Sequence, residues 1–308
     1  MKMTPRVKKI LANYESDNPG TKANLARILM QGRLGGTGKM IVLPVDQGFE
    51  HGPARSFGMN PPGYDPHYHH SLAIDAGLNA YAAPLGALEM SSGTFAGQIP
   101  TILKINSGNS LCLSKEGPNQ AVTGSIEDAL RLGCSAIGFT IYPGSDHTYD
   151  MYEEIRELTA EAKACGLVSI IWAYPRGSMS KDGESAIDIC GYSAHMACLL
   201  GAHIVKVKLP SDFLELPEAK KVYLEQKIPI KTMAERVSHV VDCCQAGRRM
   251  VIFSGGVAKD SESVLNDARA IRDGGGNGFI IGRNSFQRPR EEALELLDGL
   301  VRVFKDEK

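Results

Sequence analysis

The 308-residue chain is predicted to be an α/β protein, a single (β/α)8 TIM barrel over residues 1–308 with an N-terminal helical extension over 1–39. Three observations predict it. Eight apolar, β-branched runs recur along the chain, with helical stretches between most of them, which is the alternation of a parallel α/β architecture. Several helical stretches end in glycine directly before the next run, as in LRLGCSAIGF, AKACGLVSII, CLLGAHIVKV and CQAGRRMVIF. Glycine supplies the positive φ that closes a helix. Residues capable of chemistry gather at the C-terminal ends of the runs, where barrel sites are built. A doubly wound dinucleotide-binding fold would place GxGxxG after the first strand, and DQGFEHG stands there instead.

In chain order the predicted strands are 40–46 (MIVLPVD), 79–84 (NAYAAP), 101–106 (TILKIN), 136–142 (AIGFTIY), 168–174 (VSIIWAY), 203–209 (HIVKVKL), 250–254 (MVIFS) and 278–282 (GFIIG). Helices are predicted over 125–133, 148–165, 185–201, 231–246, 260–273 and 290–305. Residues 1–39 read as one or two helices ahead of the barrel. The stretches 54–70 and 210–229, rich in proline or charge, read as long loops that cover the barrel mouth or mediate assembly.

Hydrophobic residues make up 43% and charged residues 22%, an ordinary globular balance. The net charge of −1 gives no electrostatic footing for nucleic acid or an anionic membrane. Local clusters of Lys and Arg still allow a small anionic substrate. Seven scattered cysteines without a CxxC pair point to free thiols in a reducing compartment, with Cys134, Cys190 and Cys198 as packing residues. The N-terminal stretch lacks the apolar core of a signal peptide, and no run approaches membrane-spanning length, so a cytoplasmic protein is expected.

The run HIVKVKL puts Lys206 and Lys208 on one face of a strand. Lys206, flanked by Val205 and Val207, lies deeper; Lys208 is nearer the loop and equally suited to solvent or an ion pair. Burial and a neighbouring ammonium lower a lysine's pKa and free its amine to attack a carbonyl. In IIWAYPRG the same period aligns Trp172, Tyr174 and Arg176. The Tyr174 phenol is a candidate proton carrier and Trp172 a pocket wall; the alternative is an aromatic core layer. Pro175 ends regular pairing and sets Tyr174 at the rim.

Asp46 in LPVDQGFEHG is an acid at the tip of an apolar strand. It either serves substrate hydroxyls, a water or a lysine, or caps its own turn through an Asx motif. Glu50 and His51 are weaker candidates. Lys104 and Asn106 share a face of the third strand and add an interior charge or a structural ion pair. Ser254, Gly255 and Gly256 follow the seventh run, and Gly282 with Arg283 follows the eighth, where barrels hold phosphate. Glycines let the backbone approach an oxyanion, and arginine offers a planar fork. The segment PHYHH (His67, His69, His70) has no carboxylate or cysteine at metal-site spacing, and reads as surface histidines or a helix start. No metal or other cofactor is expected.

The segments LPVDQGFEHG, LKIN, IGFTIYPGS, IIWAYPRG, GAHIVKVK, FSGG and GFIIGRN, in this order and spacing, resemble the archaeal-type class I fructose-1,6-bisphosphate aldolases, the DhnA-type aldolase family. The resemblance runs from about Leu34 to the C-terminal helix. It implies a barrel that cleaves fructose 1,6-bisphosphate reversibly to dihydroxyacetone phosphate and glyceraldehyde 3-phosphate, without metal, in glycolysis and gluconeogenesis. It also implies Lys206 as the Schiff-base lysine, Tyr174 as acid/base, Trp172 and Asp46 as further catalytic residues, and Ser254–Gly256 with Gly282 and Arg283 as phosphate ligands. Lys208, Lys104 and His51 are added as candidate substrate ligands from their positions. The C4 hydroxyl proton goes to Tyr174 or Asp46. Family members are often homo-oligomers, up to decamers. Two rival readings remain: a related Schiff-base lyase, transaldolase or acyl transferase acting on another phosphorylated sugar, and a non-catalytic sugar-phosphate-binding barrel.

Overall fold

The computed structural model describes residues 2–112, 117–256 and 258–307. Eight parallel strands close into a barrel: β1 (Met40–Pro44), β2 (Ala80–Pro84), β3 (Thr101–Lys104), β4 (Ala136–Ile141), β5 (Val168–Ala173), β6 (Ile204–Lys208), β7 (Met250–Ser254) and β8 (Gly278–Ile280). Each strand pairs with its chain neighbours, and β8 returns to β1. Nearly every strand residue is buried, because one face looks into the barrel and the other is covered by helices.

Alternation divides the core in two. Val42, Ala82, Ile102, Ile170, Trp172 and Ile252 belong to the inner cluster. Their neighbours Ile41, Tyr81, Leu103, Ile171 and Val251 pack outward against the helices. The helices Pro5–Leu11 and Pro19–Met30 join the inner cluster through Val7, Ile10, Leu25, Ile28 and Leu29, beside Met40 and Val168 at the strand starts. They close the N-terminal end. Asn79 donates to the carbonyls of Ile28 and Gln31 at 3.1 and 2.9 Å, and the Tyr14 hydroxyl donates to the His203 carbonyl at 2.6 Å, tying this cover down.

Two predicted loops are helical in large part. The stretch 54–70 contains the end of the helix Pro53–Phe57, the 3-10 turn Pro61–Tyr64 and the start of the helix Pro66–Asp75. The stretch 210–229 holds the helix Pro217–Glu225. Their prolines sit in the first turns, where a missing amide costs nothing, so they start helices here instead of breaking them. His69 and His70 are a second correction. They do lie near a helix start, but they are 2% and 1% exposed and not on the surface. The third strand stops at Lys104, and Asn106–Ser107 turns away to pair antiparallel with Ala121–Val122.

Closure between β8 and β1 depends on Gly278, which has φ +152° and faces Met40 in register. A Cβ there would lie 1.8 Å from the Met40 carbonyl oxygen. Gly278→Ala should therefore cost more than about 3 kcal/mol of stability. Urea unfolding of the purified variant would measure it, and an unchanged midpoint would refute this account of the seam.

Candidate active site

A cavity of about 550 Å³ opens at the C-terminal mouth of the barrel. The loops after β1, β5, β7 and β8 contribute to its walls, and β6 contributes Lys206 and Lys208 from the strand itself.

Lys206 stands at its inner end and is only 5% exposed. Register pairs it with Trp172 of β5, so the two side chains lie side by side inside the barrel. The Lys206 Nζ is 4.5 Å from the centre of the indole and 5.2 Å from the centre of the Tyr174 ring. Room for the indole comes from Gly138 on β4, where a Cβ would lie 2.6 Å from the Trp172 ring. Among the described residues Lys206 Nζ has no hydrogen bond or ion pair. Tyr174 is half-buried, its amide still donating to the Ile141 carbonyl at 3.0 Å, and its hydroxyl has no protein partner among the described residues.

Lys104 presents the opposite case. It is 2% exposed, and its Nζ lies 5.1 Å from the same indole. It donates to the carbonyl oxygen of Asn106, to Asn106 Oδ1 at 2.8 Å and to Gln120 Oε1 at 3.0 Å. Asn106 is itself locked across β4 by Thr140, through two bonds of 2.8 and 2.9 Å. Burial pushes the Lys104 pKa down to about 7; Asp46 opposes this, Lys206 adds to it and Glu50 opposes it. The three oxygens engage every N–H of an ammonium and so oppose the burial without cancelling it. Its partners are neutral amide oxygens, not the carboxylate of a structural ion pair. It sits beneath the indole and does not line the cavity.

Asp46 follows β1 and lines the cavity. It holds the N-cap position of the helix Gln47–His51 but makes no capping bond, so the Asx alternative is not the one adopted. Its Oδ1 is buried without a partner among the described residues. His51 also lines the cavity; burial pushes its pKa down, Glu50 opposes this, and Arg55, Arg283 and Arg176 push it further down. Lys208 takes the ion-paired option, 3.1 Å from Glu184 Oε2, while Lys181 holds the other carboxylate oxygen at 3.0 Å.

The two glycine-rich ends meet side by side. Ser254 pairs with Ile280, Arg283 donates to the Gly256 carbonyl at 3.1 Å, and Asn284 donates to the Gly255 carbonyl at 3.1 Å. Arg283 has no carboxylate partner among the described residues. Across the cavity Arg176 stacks on Tyr142 at 5.1 Å, with its Nε buried and unpartnered among the described residues. Gln120 donates to the Tyr142 hydroxyl at 2.7 Å and so links this stack to Lys104.

The structure thus gathers Lys206, Tyr174, Asp46, His51, Lys208, Ser254–Gly256, Gly282 and Arg283 around one cavity, with Trp172 and Lys104 behind its wall. Sequence reasoning placed Arg176 on the right face without making it a site residue, and missed Glu184, Lys181 and Gln120. The two-residue period beyond Tyr174 was the available signal for Arg176. Nothing local marks the other three, which arrive on loops or, for Glu184, on the 3-10 turn Gly183–Ser185. Among the described residues no group of three or more His, Cys, Asp or Glu side chains is arranged to hold a metal ion.

Comparison with known proteins gives the family. The model of the DeoC/LacD family aldolases matches residues 40–288. A protein of Chlamydia trachomatis named probable fructose-bisphosphate aldolase class 1 is 33% identical over 314 residues, spanning 97% of this chain and 88% of the relative. The fructose-bisphosphate aldolase class 1 of Thermoproteus tenax is 34% identical over 267 residues, 86% of this chain and 89% of the relative. A solved Schiff-base-forming fructose-1,6-bisphosphate aldolase superposes with a TM-score of 0.76 at 31% identity, covering 91% of this chain and 99% of that one. With the family model spanning the whole barrel and the relatives aligned nearly end to end, the chain belongs to the DeoC/LacD family of aldolases.

Proposed function

We infer that the protein is a class I fructose-bisphosphate aldolase, which cleaves fructose 1,6-bisphosphate through a Schiff base on Lys206. The observation that carries this reading is the contrast between two buried amines over one indole. Lys104 Nζ is saturated by three oxygens, whereas Lys206 Nζ has no competing partner among the described residues and opens onto the cavity. Only Lys206 is free to reach a carbonyl carbon.

In this mechanism Lys206 attacks the C2 ketone and Tyr174 supplies the proton that lets the carbinolamine lose water. The iminium then accepts the electron pair of the C3–C4 bond as it breaks, while a base takes the C4 hydroxyl proton. Tyr174 and Asp46 both stand free for that step. Protonation of the enamine and hydrolysis return the amine and release the triose phosphate. Trp172 keeps the foot of the cavity dry, which strengthens the electrostatics of each step.

The substrate's two phosphates match the two ends of the cavity. Ser254–Gly256, Gly282 and Arg283 hold the phosphate next to the reacting ketone, since β7 lies directly beside the lysine strand. Arg176 receives the distal phosphate. The same reading makes the chain one barrel domain per subunit of a homo-oligomer working in the cytoplasm; the free state of all seven cysteines supports the reducing compartment.

Borohydride reduction in the presence of dihydroxyacetone phosphate should trap one adduct, on the Lys206 peptide, and Lys206→Met should lower cleavage by at least about 10⁴-fold. An adduct on Lys208 or Lys104, or none, would overturn the mechanism. Arg176→Met should raise KM for the bisphosphate at least about tenfold and leave fructose 1-phosphate nearly untouched. Equal losses on both substrates would remove Arg176 from the distal phosphate.

Lys104 gives a pH test. Its folded-state value of about 7 lies below the roughly 10.4 of an unfolded lysine. Between those limits the unfolded chain binds more protons, so this group makes stability rise with pH, with its full cost present below about pH 7. Chemical denaturation of wild type and Lys104→Met should therefore differ most in slope from pH 7 to 10. Parallel profiles would show that the three oxygens hold the ammonium charged throughout.

A further inference from the structure

A small cavity of about 150 Å³ lies at the barrel mouth, next to the catalytic one. His51 and Arg55 from the chain after β1, and Arg283 and Gln287 from the chain after β8, stand in its wall. No carboxylate lines it among the described residues. At about 30 Å³ per water, it has room for roughly five waters, or for one tetrahedral oxyanion with part of its hydration. A sugar bisphosphate does not fit.

Two hydrogen bonds hold the walls in place. Gln287 Nε2 donates to the Ser56 carbonyl at 3.0 Å and to the Arg55 carbonyl at 3.4 Å. Gln287 directly follows the short helix Arg283–Phe286, so these bonds tie the helix Pro53–Phe57 to it and set Arg55 across from Arg283. The Arg283 side chain bonds only the Gly256 carbonyl among the described residues. The Arg55 guanidinium has no hydrogen bond or ion pair among them. Burial lowers the His51 pKa, Glu50 with Oε2 3.8 Å away opposes this, and Arg55 and Arg283 lower it further. Both guanidiniums therefore stand near enough to be felt at one imidazole. The cluster holds positive charge that no lining carboxylate offsets, which is the condition for capturing an anion.

We propose that this cavity is a separate site for a small tetrahedral oxyanion, such as inorganic phosphate, held between Arg55 and Arg283. Arg283 and His51 also line the catalytic cavity. On the aldolase reading, Arg283 there holds the phosphate next to the reacting ketone. Two dianions flanking one guanidinium repel each other and divide its donors. Occupancy of the small site thus weakens substrate binding, and substrate weakens the anion's binding by the same factor.

Selenate, a tetrahedral dianion with an anomalous X-ray signal, locates the site without reference to any activity. Crystals soaked in selenate should show an anomalous peak between Arg55 and Arg283 in the wild type and none there in Arg55→Met. Arg55 is exposed and its guanidinium is unpaired, so this variant should keep its Tm. In phosphate-free buffer its KM for fructose 1,6-bisphosphate should stay within about twofold of wild type. Inorganic phosphate should raise the wild-type KM competitively, with a Ki of roughly 10 mM or tighter. Arg55→Met should weaken that inhibition at least about fivefold, through the loss of charge-assisted hydrogen bonds.

The selenate result stands apart from the aldolase reading; only the inhibition depends on it. Absence of a peak at Arg55, or a peak unchanged in Arg55→Met, would overturn the site. Inhibition by phosphate equal in the two proteins would overturn the coupling. A KM that rises without phosphate as much as inhibition falls would place Arg55 in the substrate site and overturn a separate one.

Discussion

One aromatic surface organises this active site. The Trp172 indole, 1% exposed, carries two lysine nitrogens, Lys206 at 4.5 Å and Lys104 at 5.1 Å. Holding two amines of one sign so close together in a dry interior is costly unless each is treated differently. The fold does so by giving three oxygens to Lys104, one from each of the Asn106 carbonyl, the Asn106 side chain and Gln120. Lys206 is left with aromatic walls and an opening to the cavity, which is the condition a nucleophilic amine requires.

That arrangement reaches back through the packing. The indole fits because Gly138 lacks a Cβ, and it stands beside Lys206 because β5 and β6 pair in that register. Lys104 keeps its oxygens because Asn106 is held by Thr140 and because the chain after β3 returns to present Gln120. At the far end the two N-terminal helices close the barrel, so the inner cluster is continuous from Val7 to Trp172. Removing any of these supports would act on the amines without touching them.

The chain between β1 and the helix Pro53–Phe57 has a double role. It carries Asp46 and His51 to the cavity at the barrel mouth and Phe49 to an apolar groove beneath the helices Pro53–Phe57 and Pro66–Asp75.

Much of the barrel was legible in the sequence because its signals are local. A period of two marks each strand and its two faces, cap glycines mark where helices stop, and the order of the runs leaves little choice of topology. The placement of Lys206 with Tyr174 at a strand end follows from that same period. The helices at Pro53, Pro66 and Pro217 escaped because proline reads as a breaker unless its position within the turn is known.

What the sequence by itself determined is the face on which each side chain lies, since alternation is a property of the strand alone. Only the tertiary structure decided which amine is tied and which is free, because Gln120, Glu184 and Arg176 are brought to the site by closure of the barrel. Hydrogen bonds between residues distant in the chain depend on distances that no local pattern encodes.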